Sequence, residues 1–264
     1  MKTWTALKVR QSKGSRKLAC LTAYDATTAR LVDAAGIPLI LVGDSLAMTM
    51  LGYPNTVAAT MAHMLHHTAA VTRAVRNALV VADMPFMSYR VSLEQGLTNA
   101  ARFLQEAAAD AVKIEGGAER ADLVRALAAN GIPVLGHIGL TPQSVLETGG
   151  FRVQGREAED AERLRADARV LAEAGVFAIV LECIPATLAG TITRDISVPT
   201  IGIGAGPECD GQILVTHDML GLWEEFQPRF VKRYARLADD MRAAFESYQK
   251  EVSEGRFPGA EHCY

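Results

Sequence analysis

A single-domain (β/α)8 barrel is the fold class that the sequence predicts. Three observations point to it: eight short apolar runs, longer amphipathic stretches between most of them, and a length of 264 residues that suits one barrel. A doubly wound open sheet is the main rival, because it is built from the same alternation; the count of eight favours the barrel. The runs are Leu18–Tyr24, Pro38–Asp44, Ala78–Pro85, Ala111–Glu115, Pro133–Ile138, Phe177–Cys183, Pro199–Ala205 and Ile213–Thr216. Each is bounded by Gly, Pro, Asp or Asn, and several are rich in Val and Ile. That is the pattern of a strand buried on both faces.

The stretches between them read mostly as helices. Ser92–Ala109 is the clearest: Ser92 and Gln95 have capping-box spacing, and Leu93, Leu97, Ala101, Leu104 and Ala108 fall on one face. Ala121–Ala129 stops at Asn130-Gly131, and Ala158–Ala174 stops at Gly175, both good C-terminal signals. Residues 57–77 form a long helical segment, and Arg233–Ser253 reads as a terminal helix. After the seventh strand the chain carries a glycine-rich loop, Gly202-Ile-Gly-Ala-Gly206, in place of an obvious helix. No linker or composition break divides residues 1–264, so one domain is expected.

Composition excludes some function classes. With 27 basic and 30 acidic residues the formal net charge is −3, which argues against a nucleic-acid binder or a polybasic membrane surface. No apolar run approaches the ~20 residues of a membrane-spanning helix. The segment before Leu18 has six basic and no acidic residues, but no hydrophobic stretch follows, so a secretory signal is not expected. Cys20, Cys183, Cys209 and Cys263 form no CxxC pair and fit free thiols in a reducing, cytoplasmic setting.

Barrel enzymes carry their chemistry at the C-terminal ends of the strands, so polar residues there are the ones to examine. Strand two ends at Asp44-Ser45 and strand three at Asp83. In strand four Lys113 and Glu115 share one face, opposite Val112 and Ile114. Strand five carries His137 and strand six ends at Glu182. Each has a plain structural reading. An Asp after a strand is commonly a turn or cap residue. Lys113 and Glu115 suit an ion pair, His137 a hydrogen-bonded mouth residue, and Glu182 a helix cap. Five neighbouring strands with ionisable residues at the same end are harder to explain that way.

Asp44, Asp83 and Glu115 would gather three like charges, which raise one another's pKa unless a cation neutralises them. An all-oxygen set with no Cys/His cluster favours a hard divalent ion such as Mg2+. Lys113 would suit a substrate carboxylate, and Glu182 is free to act as a base. The glycine-rich loop could hold phosphate or be a tight turn. His63, His66 and His67 lie away from the strand ends and are expected to have surface or packing roles.

The blocks that carry these residues resemble the ketopantoate hydroxymethyltransferase family. They are Leu21-Thr-Ala-Tyr-Asp25, Leu41-Val-Gly-Asp-Ser45, Ala82-Asp-Met-Pro-Phe86, Val112-Lys-Ile-Glu-Gly-Gly117, Gly136-His-Ile-Gly-Leu-Thr-Pro-Gln-Ser144, Leu181-Glu-Cys-Ile-Pro185, Ile201–Gly206 and Asp210-Gly-Gln-Ile-Leu-Val215. The resemblance implies a barrel of the phosphoenolpyruvate mutase and isocitrate lyase group. It also implies transfer of a hydroxymethyl group from 5,10-methylenetetrahydrofolate to 3-methyl-2-oxobutanoate. The product is 2-dehydropantoate, the first committed step toward pantothenate and coenzyme A.

By the same resemblance Mg2+ falls on Asp44, Asp83 and Glu115. The keto acid falls on Asp44, Ser45, Asp83 and Lys113, and the base on Glu182. His137 is expected to support Glu115 or a water. The resemblance further implies small-molecule substrates and a homo-oligomer, as a decamer of two pentameric rings. The alternative kept open is another Mg2+-dependent enzyme that makes or breaks a C–C bond in a 2-oxo acid. The chain departs from the family's pattern at Gly52–Ala58 and at Val75-Arg76-Asn77, outside the inferred site.

Overall fold

The structure, a computed structural model, describes residues 2–150, 152–224 and 228–264. The chain divides into two compact units, Met1–Val215 and Thr216–Tyr264. The first holds eight parallel strands: β1 (Leu18–Thr22), β2 (Leu39–Val42), β3 (Leu79–Asp83), β4 (Ala111–Glu115), β5 (Val134–Gly139), β6 (Ala178–Glu182), β7 (Thr200–Ile203) and β8 (Gly211–Leu214). They pair in sequence order, and β8 pairs with β1 through Leu18↔Gly211 to Leu21↔Leu214, which closes the barrel. The fold class read from the sequence is the one observed.

Alternation along the strands sorts the apolar residues into two cores. Leu18, Cys20, Leu39, Leu41, Leu79, Val81, Leu135, Val180, Ile201 and Ile213 fill the interior. Ile40, Val80, Val112, Ile114, Ile179 and Leu181 face outward and pack with the helices. Val9, on a short helix Ala6–Gln11, is fully buried and joins the inner set. The basic N-terminal segment therefore contributes a plug to the barrel interior.

Helices follow most strands. Ala26–Ala34 is capped by Asp25, Met61–Ala74 by Thr60, and Leu93–Gln105 by Ser92, each side chain accepting N–H groups of the first turn. In the capping box anticipated at Ser92, the Ser92 Oγ accepts the Gln95 N–H at 3.1 Å, but the Gln95 side chain reaches back to Val91 rather than to Ser92. The buried face of this helix is Gly96, Ala100 and Phe103, with Leu93 and Ala108 exposed, so the expected face is displaced by one position. The cause is Gly96. It gives no hydrophobic signal, yet a Cβ there would lie 2.7 Å from Leu123 Cδ1, so it marks the closest approach to helix Ala121–Ala129.

Among the described residues, no helix stands between β7 and β8. The glycine-rich segment there is a turn, held by the Gln212 amide donating to the Gly206 carbonyl at 2.9 Å. The second unit contains helices Thr216–Met219 and Leu237–Ser253. No residue of the longer one is buried.

Candidate active site

The C-terminal rim of the barrel encloses a cavity of about 100 Å³. Asp44, Ser45, Asp83, Lys113, Glu115, His137 and Glu182 all line it, together with apolar Leu41, Val180, Ile203, Ile213 and Leu214. The strand register accounts for this convergence. Asp83 pairs with Lys113, Glu115 with His137, and Gly139 with Glu182 on adjacent strands. Asp44 lies two residues past the end of β2 and is 3% exposed.

Lys113 Nζ donates to both Asp83 oxygens at 2.7 Å and lies 3.6 Å from Glu115 Oε1. The Asp44 N–H donates to Asp83 Oδ2 at 3.2 Å. His137 stands between two carboxylates, Nδ1 3.5 Å from Glu115 Oε1 and Nε2 3.1 Å from Glu182 Oε2. Neither approach is aligned as a hydrogen bond, so the contact is electrostatic. Ser45 Oγ is paired with the Tyr24 hydroxyl at 2.8 Å.

These contacts shift protonation. Burial raises the Asp44 pKa well above the ordinary carboxylate range, and the nearby Asp83 and Glu115 charges add to it. Burial also raises Asp83, against the pull of Lys113. Burial pushes Glu115 up too, but Lys113, His137 and the Gln143 N–H more than offset it and hold it low. Burial disfavours the Lys113 ammonium, yet Asp83, Glu115 and Asp44 keep it charged far into the basic range. Burial and Lys113 oppose a charged His137, while Glu115 and Glu182 push it up to about 9.

In kind, these carboxylate oxygens are the donors that a hard divalent cation takes. Asp44, Asp83 and Glu115 outnumber the neighbouring ammonium, and Glu115 Oε1 is buried without a hydrogen-bond partner. As the side chains stand, no group of three or more His, Cys, Asp or Glu among the described residues has metal-ligating spacing. The ammonium of Lys113 on Asp83 supplies the positive charge in that arrangement.

Two residues that strand ends did not flag complete the site. Gln143, 1% exposed, donates to Asp44 and Glu115; Tyr89, 3% exposed, donates to Gln143. Burial pushes the Tyr89 phenol up to about 12, with Glu115 adding to it, so it stays a donor. Gly139 is required beside Glu182: its φ is +95°, and a Cβ there would lie 2.3 Å from the Glu182 carbonyl. The histidines away from the rim serve local structure. His67 Nδ1 contacts the Tyr24 carbonyl at 2.7 Å, and His63 caps its own helix.

The sequence profile of the ketopantoate hydroxymethyltransferase family matches residues 2–260. The chain belongs to the ketopantoate hydroxymethyltransferase family. It is 53% identical to the 3-methyl-2-oxobutanoate hydroxymethyltransferase of Syntrophus aciditrophicus (strain SB), across 99% of this chain and 96% of that one. It is 57% identical to the protein of the same name from Thermoanaerobacter pseudethanolicus, across 96% and 92%. Membership in the ketopantoate hydroxymethyltransferase family makes the chain an enzyme of the hydroxymethyl-transferring class. Among solved structures, phosphonopyruvate hydrolase superposes with a TM-score of 0.65 at 15% identity, covering 99% of this chain and 90% of that one. A 2,3-dimethylmalate lyase of the PEP mutase/isocitrate lyase superfamily gives 0.62 at 17%, covering 98% and 92%. These two share the fold.

Proposed function

We propose that the enzyme transfers a hydroxymethyl group from 5,10-methylenetetrahydrofolate to 3-methyl-2-oxobutanoate, giving 2-dehydropantoate on the route to pantothenate and coenzyme A. The observation that carries this reading is the convergence of four carboxylates, one ammonium and one imidazole on a single small cavity whose other wall is apolar. A branched 2-oxo acid matches that division: Ser45 and Lys113 face its carboxylate, and Val180, Ile203 and Ile213 its alkyl group. Lys113 has three N–H donors. Two engage Asp83, and the third, near Glu115, is the one that turns to the substrate.

Asp44, Asp83 and Glu115 would hold Mg2+, which supplies Lewis-acid stabilisation of the charge that develops on the keto acid. Glu182, partly exposed at the rim, accepts the proton from carbon 3. His137 beside it keeps that carboxylate turned toward the cavity. Carbon 3 then bonds to the methylene carbon of the folate; the two bonds from that carbon to folate nitrogens break, water supplies the hydroxyl group, and tetrahydrofolate leaves with the proton that Glu182 took up and one from the water. The setting is the reducing cytoplasm, which the free thiols support.

The chain also self-associates in this reading. Met241, Phe245, Tyr248 and Val252 form an exposed apolar stripe at helical spacing on Leu237–Ser253.

The test incubates purified enzyme with Mg2+, the keto acid and the folate donor, and follows product and hydrogen exchange at carbon 3. Product that requires the folate is expected. Glu182→Gln should slow exchange about 10²–10⁴-fold while keto-acid binding persists. Turnover of a 2-oxo acid without any folate would favour a C–C lyase instead, and unchanged exchange would remove Glu182 from the base role.

A further inference from the structure

Gln143 lies in the single turn Pro142–Ser144 that follows β5. A side-chain amide has two N–H donors and two acceptor sites, and here all four are engaged. Nε2 donates to Asp44 Oδ2 at 3.0 Å and to the Met84 carbonyl at 2.9 Å. Oε1 accepts from the Tyr89 hydroxyl at 2.8 Å and from Arg90 Nη2 at 3.3 Å. The main-chain N–H of the same residue donates to Glu115 Oε2 at 3.1 Å.

The amide can face only one way. Turned over, its oxygen would meet a carboxylate and a carbonyl, and its NH2 group would meet an arginine. Tyr89 is held as well: its hydroxyl accepts the Glu115 N–H at 3.1 Å, its one hydrogen has Gln143 Oε1 at 2.8 Å as the nearer acceptor and the Glu115 carbonyl at 3.2 Å as the farther, and the guanidinium groups of Arg90 and Arg120 lie 5.5 and 5.8 Å from its ring centroid. Asp44 and Glu115 repel each other in a buried site, and one residue donates to both.

We propose that Gln143 is a positioning residue for the transfer reaction, holding the Asp44 and Glu115 carboxylates in one convergent arrangement while Tyr89 fixes the direction of its amide. This rests on the reading of the rim cavity as the reaction site. A residue that merely filled space could be replaced by one of equal length without kinetic effect.

Gln143→Met keeps the length of the side chain and the main-chain bond to Glu115, and removes only the amide. Its kcat/KM for the keto acid, per folded molecule counted by circular dichroism, should fall about 10–100-fold. Tyr89→Phe leaves the amide in place but unlocks it, and should cost several-fold. Combined, the two losses should be less than multiplicative, because both act through one network. Variants within about twofold of the parent per folded molecule would overturn the proposal, as would fully multiplicative losses for the role of Tyr89. Mn2+ titration of the same proteins by electron paramagnetic resonance separates the two levels of inference. Binding by the parent should weaken about tenfold in Gln143→Met. A parent that bound no Mn2+ would count against the metal reading, and the kinetic comparison would still decide the role of Gln143.

Discussion

Removing the Lys113 ammonium would leave Asp83, 1% exposed, facing Glu115 and Asp44 with no opposite charge in contact. A buried pair broken on one side costs about 3–5 kcal/mol, because the remaining charge has no water to return to. Lys113→Met should therefore lose that much stability in urea denaturation at neutral pH, and adding Asp83→Asn should restore part of it. Additive losses would mean that the two do not act as a pair. Asp44, Asp83, Lys113, Glu115, His137 and Glu182 were legible because a charge at the end of an apolar run stands out. Gln143 and Tyr89 were not. Both are neutral and lie in loops, and their importance comes from two carboxylates that only the closed barrel brings within reach. Gln143 sits inside a block that resembles the family, but nothing in that string says that its side chain donates to one acid and its main chain to another.

Asp33 ties one element to the next. At the end of helix Ala26–Ala34 its carboxylate accepts the N–H groups of Arg76 at 3.0 Å, Asn77 at 3.1 Å and Ala78 at 2.7 Å, immediately before β3. The segment Val75-Arg76-Asn77 is thus pinned by a charge from another element. Burial raises the Asp33 pKa, but these donors more than offset it and hold it below its ordinary value. A depressed folded-state pKa gives stability that is present above the unfolded value, about 3.9, and is lost as pH falls through the lower folded value. Asp33→Asn should thus cost about 1–3 kcal/mol at neutral pH, and the deficit should shrink on acidification. A deficit that stayed constant down to the acid transition would contradict this origin. The helix bounds at Ala121–Ala129 and Ala158–Ala174 were readable to the residue, since Asn-Gly and Gly end them. The face of Leu93–Gln105 was not, because close packing at a glycine carries no hydrophobic signal.

At the scale of the whole molecule, the barrel was legible because β2 to β7 are buried on both faces and so read as largely apolar runs, while β1 and β8 each expose one residue, Ala19 and Gln212. The plug at Val9 was hidden by the basic residues around it. No helix among the described residues is long and apolar enough to cross a membrane. The proposed self-association would cover the exposed stripe on Leu237–Ser253. Phe245→Asp should lower the assembled mass in sedimentation velocity. An unchanged mass would take this helix out of the assembly.

The pairing of β8 with β1 has a further bearing on how the enzyme comes into being. By the time a ribosome has released residue 182, every ionisable member of the rim has been made, spread along the chain from the end of β2 to the end of β6. Asp83 and Lys113, and Glu115 and His137, are neighbours across adjacent strands, but the ring around them shuts only when residues 211–214 emerge and pair with Leu18–Leu21. The nascent chain accordingly has these groups but no closed barrel around them until residues 211–214 have been added.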